Sequence, residues 1–264
     1  MLDYKLYEHA NSDKYVVLIH GIGGNSSIFY SNLKSLKKHF NILAVHLHGH
    51  GKSPSVGEEK NFSIEVAAQE VLRVLDHLFI KKAHFIGISL GTIVIHSIFK
   101  IAPKRVYSAV LAGAITHFNL LSKLSIRVGK MIKSFTPFLW IYKISAYIIM
   151  PGKMNRKSRS LFISQATKMK RSDFLAWFSL VDTVEAVYKG VPASSKGVPK
   201  LYISGAEDHL FIKQLQKDIT EDPYATLTLI NNCGHVCNVE KSKEFNEISV
   251  DFLLNSGKEI KEAQ

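Results

Sequence analysis

Six short runs rich in Val, Ile and Leu recur along the chain with helical patterns between them, and this alternation constrains the fold more than any single motif. The runs are KYVVLIH (14–20), FNILAVHL (40–47), KAHFIGI (82–88), RVYSAVLAG (105–113), VPKLYISG (198–205) and YATLTLI (224–230). Continuous apolar runs of this kind suit strands covered on both faces. Between two of them, FSIEVAAQEVLRVLDHLFI sets Ile64, Ala67, Val71, Leu75 and Leu78 at spacings of three and four, with Ser63 as N-cap and Glu65 in the first turn. That is the pattern of an amphipathic helix. KEFNEISVDFLLNS places Phe245, Ile248 and Phe252 on one side of a last helix. Short connections between such elements predict an α/β fold, with a mostly parallel central sheet, right-handed crossovers and flanking helices. A composition of 46% hydrophobic, 10% aromatic and 21% charged residues over 264 positions is enough to bury a large core.

Within this pattern, HFIGISLGTIVIH (84–96) carries Gly87 and Gly91, each two residues from Ser89. Glycine costs about 0.5–1 kcal/mol against alanine inside a strand or helix, so two here imply a tight backbone turn around the serine. Ser89 follows a predicted strand and precedes a predicted helix, which is the setting of a nucleophile elbow. The helix start would aim backbone N–H groups and a positive dipole end at a reacting oxygen. A serine hydroxyl is a weak nucleophile and needs a base, and the base needs a group to orient it. YISGAEDHLF puts Asp208 in the loop after one strand, and LTLINNCGHVCNVE puts His235 in the loop after the next. HGIGG (20–24) ends an early strand, where an oxyanion-binding loop would belong.

These segments, with HLHGHGKS (46–53), carry a resemblance to the α/β-hydrolase superfamily over nearly the full length. The resemblance implies Ser89 as nucleophile, Asp208 as acid and His235 as base, with the backbone N–H groups of Ile22 and Leu90 as the oxyanion hole. It is similar to the esterase and C–C-hydrolase branch, and implies no cofactor and no metal. Serine at position 89 argues against dehalogenases and epoxide hydrolases, which use aspartate there. The lack of an HGGPG stretch argues against proline iminopeptidases. One departure stands out: the family commonly has Asp-x-Arg-Gly-x-Gly-x-Ser where this chain has His46-Leu47-His48-Gly49-His50-Gly51-Lys52-Ser53. Without a carboxylate or cysteine at ligand spacing, these read as loop histidines bonded to backbone. Cys233 and Cys237 flank His235 and read as small apolar fillers beside a glycine–histidine turn.

The expected hydrolase core is residues 1–113 and 197–264, with a helical lid at 114–196. The inserted segment holds 14 Lys and Arg against Asp173, Asp182 and Glu185, a net +11 of the chain's +12. Three readings of that charge stay open: a solvated helix surface, peripheral contact with an anionic membrane, or steering of an anionic substrate. No nucleic-acid motif accompanies it. Pro137 and Lys143 interrupt the apolar stretch, against a transmembrane span. Phe138, Trp140 and Trp177 are the candidate substrate-binding residues, within a wider set of Phe135, Leu139, Tyr142, Tyr147, Ile148, Phe174 and Phe178 that would line a pocket or form lid core.

The expected activity is hydrolysis of a carboxylic ester with a mainly apolar acyl group, a small molecule. C–C bond hydrolysis, lactone hydrolysis and ligand binding or signalling with little turnover are the rivals. The N-terminus shows no basic segment leading into an apolar run, and two cysteines make no disulfide framework, so the expected location is cytoplasmic. The oligomeric state is not legible.

Overall fold

The computed structural model describes residues 1–58 and 61–256. Among these, seven strands form one sheet: β1 (Tyr4–Tyr7), β2 (Tyr15–Ile19), β3 (Asn41–Val45), β4 (Ala83–Ile88), β5 (Val106–Ala112), β6 (Lys200–Gly205) and β7 (Ala225–Ile230). Their spatial order is β1-β3-β2-β4-β5-β6-β7, and every neighbouring pair is parallel except β1 with β3. The mostly parallel α/β sheet read from the six runs is therefore present. The sequence reading missed β1, YKLY, on the edge of the sheet, where Tyr4, Leu6 and Tyr7 are half-buried and Lys5 is exposed. β3, β4 and β6 are buried along their whole length, as their unbroken apolar runs require, whereas β7 is partly open on the other edge.

The helices are α1 (Tyr30–Leu36), α2 (Ile64–His77), α3 (Leu90–Ile101), α4 (Leu120–Ile132), α5 (Phe138–Ile149), α6 (Arg156–Ala166), α7 (Arg171–Ser179), α8 (Val184–Tyr188), α9 (Val191–Ser194), α10 (Ile212–Ile219), α11 (Cys237–Glu240) and α12 (Ser242–Asn255). α2 starts as its sequence predicts: the Ser63 hydroxyl accepts from the Val66 N–H at 3.1 Å, and Ile64, Ala67, Val71 and Leu75 are buried. α12 corrects the expected stripe. Its buried positions are Phe245, Ser249 and Leu253, with Ile248 and Phe252 half-buried beside them, because the small serine lets the helix lie close to the sheet.

Sheet winding places the site. The chain runs from β2 outward to β3, then returns to lay β4 on the opposite side of β2. Parallel sheets open a crevice at the carboxyl ends of strands where the winding reverses. The loop after β2 (20–24) and the turn after β4 (Ser89) are therefore neighbours by topology alone.

α4 to α9 all fall between β5 and β6. Several buried contacts tie them to the loops at the carboxyl ends of the strands. The Trp177 indole N–H donates to the His48 carbonyl at 2.9 Å, and its ring meets Phe62 edge-on at 4.8 Å. Asp173 accepts from the Ser55 hydroxyl at 2.5 Å and the Val56 N–H at 2.8 Å. The Tyr142 hydroxyl donates to the Ile22 carbonyl at 3.0 Å.

Candidate active site

Ser89 has φ +52° and ψ −112°, outside the regions an L-residue prefers. A conformation of this kind costs about 1–3 kcal/mol and persists only where its surroundings enforce it. Here the Ser89 N–H extends the β4–β5 ladder to the Ala112 carbonyl at 3.0 Å. Its own carbonyl accepts from the Thr92 N–H at 2.8 Å and the Thr92 hydroxyl at 2.7 Å. The two glycines answer a packing need rather than a conformational one. A Cβ on Gly91 would stand 2.1 Å from the Ile19 carbonyl oxygen, and one on Gly87 would stand 2.6 Å from the Ile95 side chain. The first turn of α3 thus lies directly on the end of β2.

The Ser89 Oγ is 3.0 Å from His235 Nε2, and His235 Nδ1 is 2.8 Å from Asp208 Oδ2. An ionised carboxylate only accepts, so Nδ1 carries a proton and Nε2 presents its lone pair to the serine hydroxyl. Ser89 is half-exposed, while His235 and Asp208 are buried. Burial alone disfavours the imidazolium, but the charge and hydrogen bond of Asp208, with Glu240 further off, outweigh it. The His235 pKa is therefore held above its ordinary value.

Two loops hold that pair in register. The Glu207 N–H donates to the Cys233 carbonyl at 2.9 Å, which joins the loop after β6 to the loop after β7. Glu240 accepts from the Gly234 N–H at 2.6 Å and from the Ser158 hydroxyl of α6 at 2.7 Å. Glu240 closes the motif that carries His235 but was not singled out, since nothing in its spacing marks a carboxylate that turns back on its own loop. Cys233 and Cys237 are free and buried, and the Cys237 thiol lies 3.5 Å from the Gly234 carbonyl.

Ile22 and Leu90 face the same cavity as Ser89 and His235, and a Cβ on Gly21 would lie 3.4 Å from the Ser89 Cβ. The N–H of Leu90 belongs to the first turn of α3, where no intrahelical partner exists for it. The cavity, about 190 Å³, runs from Ser89 beneath the inserted helices, and its walls include Ile93, Ile126, Ile149, Phe174, Phe178 and Phe211. Trp177 is one of its walls. Phe138 is not: it lies half-buried with its ring 5.5 Å from Phe174, behind the wall. Trp140 is 63% exposed, which corrects its assignment as a substrate-binding residue. On α5 the inward positions are Ile141, Tyr142 and Ala146, and Trp140 falls on the opposite side. Phe135 and Tyr147 also point outward, whereas Tyr142 and Ile148 line the cavity. Phe211, whose ring is 5.2 Å from His235, was within the motif but not singled out.

The histidine-rich departure after β3 forms a packed polar cluster. His46 bonds Asp3 at 2.7 Å and Ser26 at 2.9 Å; His50 bonds the His48 carbonyl at 2.9 Å and receives the Gly23 N–H at 2.8 Å. His20 bonds the Gly21 carbonyl at 2.8 Å and receives the Leu47 N–H at 3.1 Å. Burial pushes His50 down to about 4 and His20 well below its ordinary value, so both are neutral at pH 7. They brace the 20–24 loop from below. Among the described residues no group of three or more His, Cys, Asp or Glu side chains is disposed to hold a metal ion.

Sheet order, elbow and loop placement are those of the α/β-hydrolase fold. A family model described as the alpha/beta hydrolase fold matches residues 14–136. A protein of Stutzerimonas stutzeri (strain A1501), provisionally named carbamate hydrolase RutD, is 28% identical over 258 residues and covers 96% of each chain. In structure, a chain described among carboxylesterases of the ammonia-oxidizing Nitrososphaera gargenis superposes with a TM-score of 0.81 at 23% identity, covering 98% of this chain and 96% of that one. The enol-lactonase of Burkholderia xenovorans LB400 gives 0.82 at 20% identity over 96% of each chain.

Proposed function

We propose that this hydrolase cleaves a carboxylic ester of a mainly apolar acyl group through Ser89, His235 and Asp208. The observation that supports the reading is a hydrogen-bonded Ser–His–Asp chain whose serine opens into a cavity walled almost wholly by apolar side chains. His235 Nε2 takes the Ser89 proton as Oγ attacks the ester carbonyl, and Asp208 holds the imidazole tautomer and its charged form. The N–H groups of Ile22 and Leu90 receive the oxyanion, a contribution of about 3–4 kcal/mol for one donor in comparable sites. The alkoxide leaves with the proton from His235. Water, activated in turn by His235, then releases the acid and restores Ser89.

A carbamate is a second candidate through the relative named above. The cavity supports the acyl ester, because its lining offers an apolar chain many hydrocarbon neighbours and a carbamate N–H few polar partners. A lactone is a cyclic ester and needs no change of machinery. A panel of p-nitrophenyl esters from acetate to palmitate, with carbamate, lactone and vinylogous diketone substrates, tests the assignment. We expect a chain-length optimum among the esters. Uniformly feeble ester rates beside fast turnover of one of the other three would replace the ester reading with that one.

The base must be neutral to take a proton, so kcat/KM should rise with pH through the His235 pKa. Because that pKa is raised, the midpoint of the acid limb is expected above 6.5. A midpoint at or below 6.5 in a pH–rate profile would contradict the Asp208–His235 coupling as drawn.

A further inference from the structure

α4 is amphipathic the wrong way round for a helix that covers a core. Leu121, Leu124, Val128, Met131 and Phe135 follow at spacings of three and four, and all are exposed, Phe135 to 91%. Its buried positions are instead Ser122 and Gly129, and Gly129 lies against Phe178 and Ile141. α5 adds Trp140, Ile144 and Tyr147 to the exposed apolar set, while Ile141, Tyr142 and Ala146 face inward. Ten of the eighteen exposed large apolar side chains among the described residues fall between 120 and 154. Such a concentration on one segment marks a contact surface rather than scattered exposure.

The charge around it is one-sided. Glu185 pairs with Lys123 at 3.0 Å, Asp182 pairs with Lys130, and Asp173 is buried against Ser55 and Val56. All three acidic residues of the inserted segment are thus engaged, while Arg127, Lys143, Lys153, Arg156 and Lys157 stand exposed. A second copy of the chain would bring the same cations against this face and be repelled. A bilayer with anionic headgroups would meet the cations and accept the Leu, Met, Phe and Trp side chains at its acyl boundary. We propose that the outer face of α4 and α5 docks on an anionic lipid bilayer surface. No described helix is long and apolar enough to cross a membrane, so the contact is peripheral. The Ser89 cavity, whose lining includes Ser122, Ser125 and Ile126 of α4, would then lie close to the lipid.

The chain carries its own reporter. It has two tryptophans, of which Trp177 is buried and Trp140 is exposed on the docking face. Adding phosphatidylcholine vesicles containing phosphatidylglycerol to the full chain is expected to shift its tryptophan emission to the blue. Pure phosphatidylcholine should not do so, and Trp140→Phe should abolish the shift. Co-sedimentation with the anionic vesicles should fall roughly tenfold or more when Leu124, Val128, Met131 and Phe135 are all replaced by serine, with every charge retained. These positions are exposed, so near-native circular dichroism of that variant serves as its folding control. Equal sedimentation of native and serine-substituted chains would overturn the proposal, since charge alone would then account for binding. So would an absence of binding to anionic vesicles, or vesicle-free dimerisation that the serine substitutions remove.

Discussion

Replacing Ser89 by alanine is expected to lower ester hydrolysis by about four to six orders of magnitude, the range found when one member of a Ser–His–Asp unit is removed. The loss should appear in kcat, with KM little changed, because the hydroxyl forms its bond only during reaction. The fold should survive. Ser89 holds its strained turn through its N–H and carbonyl, which bond Ala112 and Thr92, and neither bond uses the hydroxyl. Alanine keeps both and removes only the 3.0 Å contact to His235. Rates on the best ester of the panel, measured beside a thermal melt, check both halves. A Ser89→Ala protein within tenfold of native activity would remove Ser89 from the chemistry and, with it, the proposed mechanism.

The second large effect is on stability. Gly91→Ala is expected to destabilise the chain by about 3 kcal/mol or more, at the upper end for overpacking, because the new Cβ meets main chain rather than a movable side chain. It would lie 2.1 Å from the Ile19 oxygen and 3.1 Å from the His20 oxygen. Ile19 ends β2, which pairs with β3 on one side and β4 on the other, so it has no room to retreat. Relief must come from displacing the start of α3, which would also move Leu90 and Ser89. Gly57→Ala is the control, since a Cβ added there would meet no atom of the described residues within 4 Å and the glycine has no positive φ. Urea melts of the two variants should differ by most of the expected amount. Identical midpoints would mean that α3 does not lie on β2 as closely as the structure has it.

Much of the site was legible because each of its parts is a local event. Ser89 is announced by two glycines bracketing it between a strand and a helix. Asp208 and His235 each follow an apolar run by a few residues, so their places at strand ends come from short-range pattern. The errors have a common origin in faces. Trp140 reads as a pocket residue because it stands among other aromatic residues of α5, but the helix turns Ile141, Tyr142 and Ala146 inward and leaves Trp140 outside, while α4 turns only Ser122 and Gly129 inward. β1 was missed because four residues on a sheet edge, none of them fully buried, leave almost no hydrophobic pattern. Glu240 was missed because its role depends on a bond to Gly234 and another to Ser158, which is 82 residues away.

By itself the sequence determined the α/β architecture, the strand-to-helix turn at Ser89, the chain order of Ser89, Asp208 and His235 and the concentration of positive charge between β5 and β6. Period, glycine placement and composition act over a few residues, and a chain reader has access to all of them. Only the tertiary structure decided that Ser89, His235 and Asp208 stand within 3.0 Å of one another in succession, that Trp177 walls the cavity while Trp140 leaves it, and that the apolar stripe of α4 faces outward. Those outcomes depend on which helix packs against which, and that is set by the summed burial of many side chains far apart in sequence.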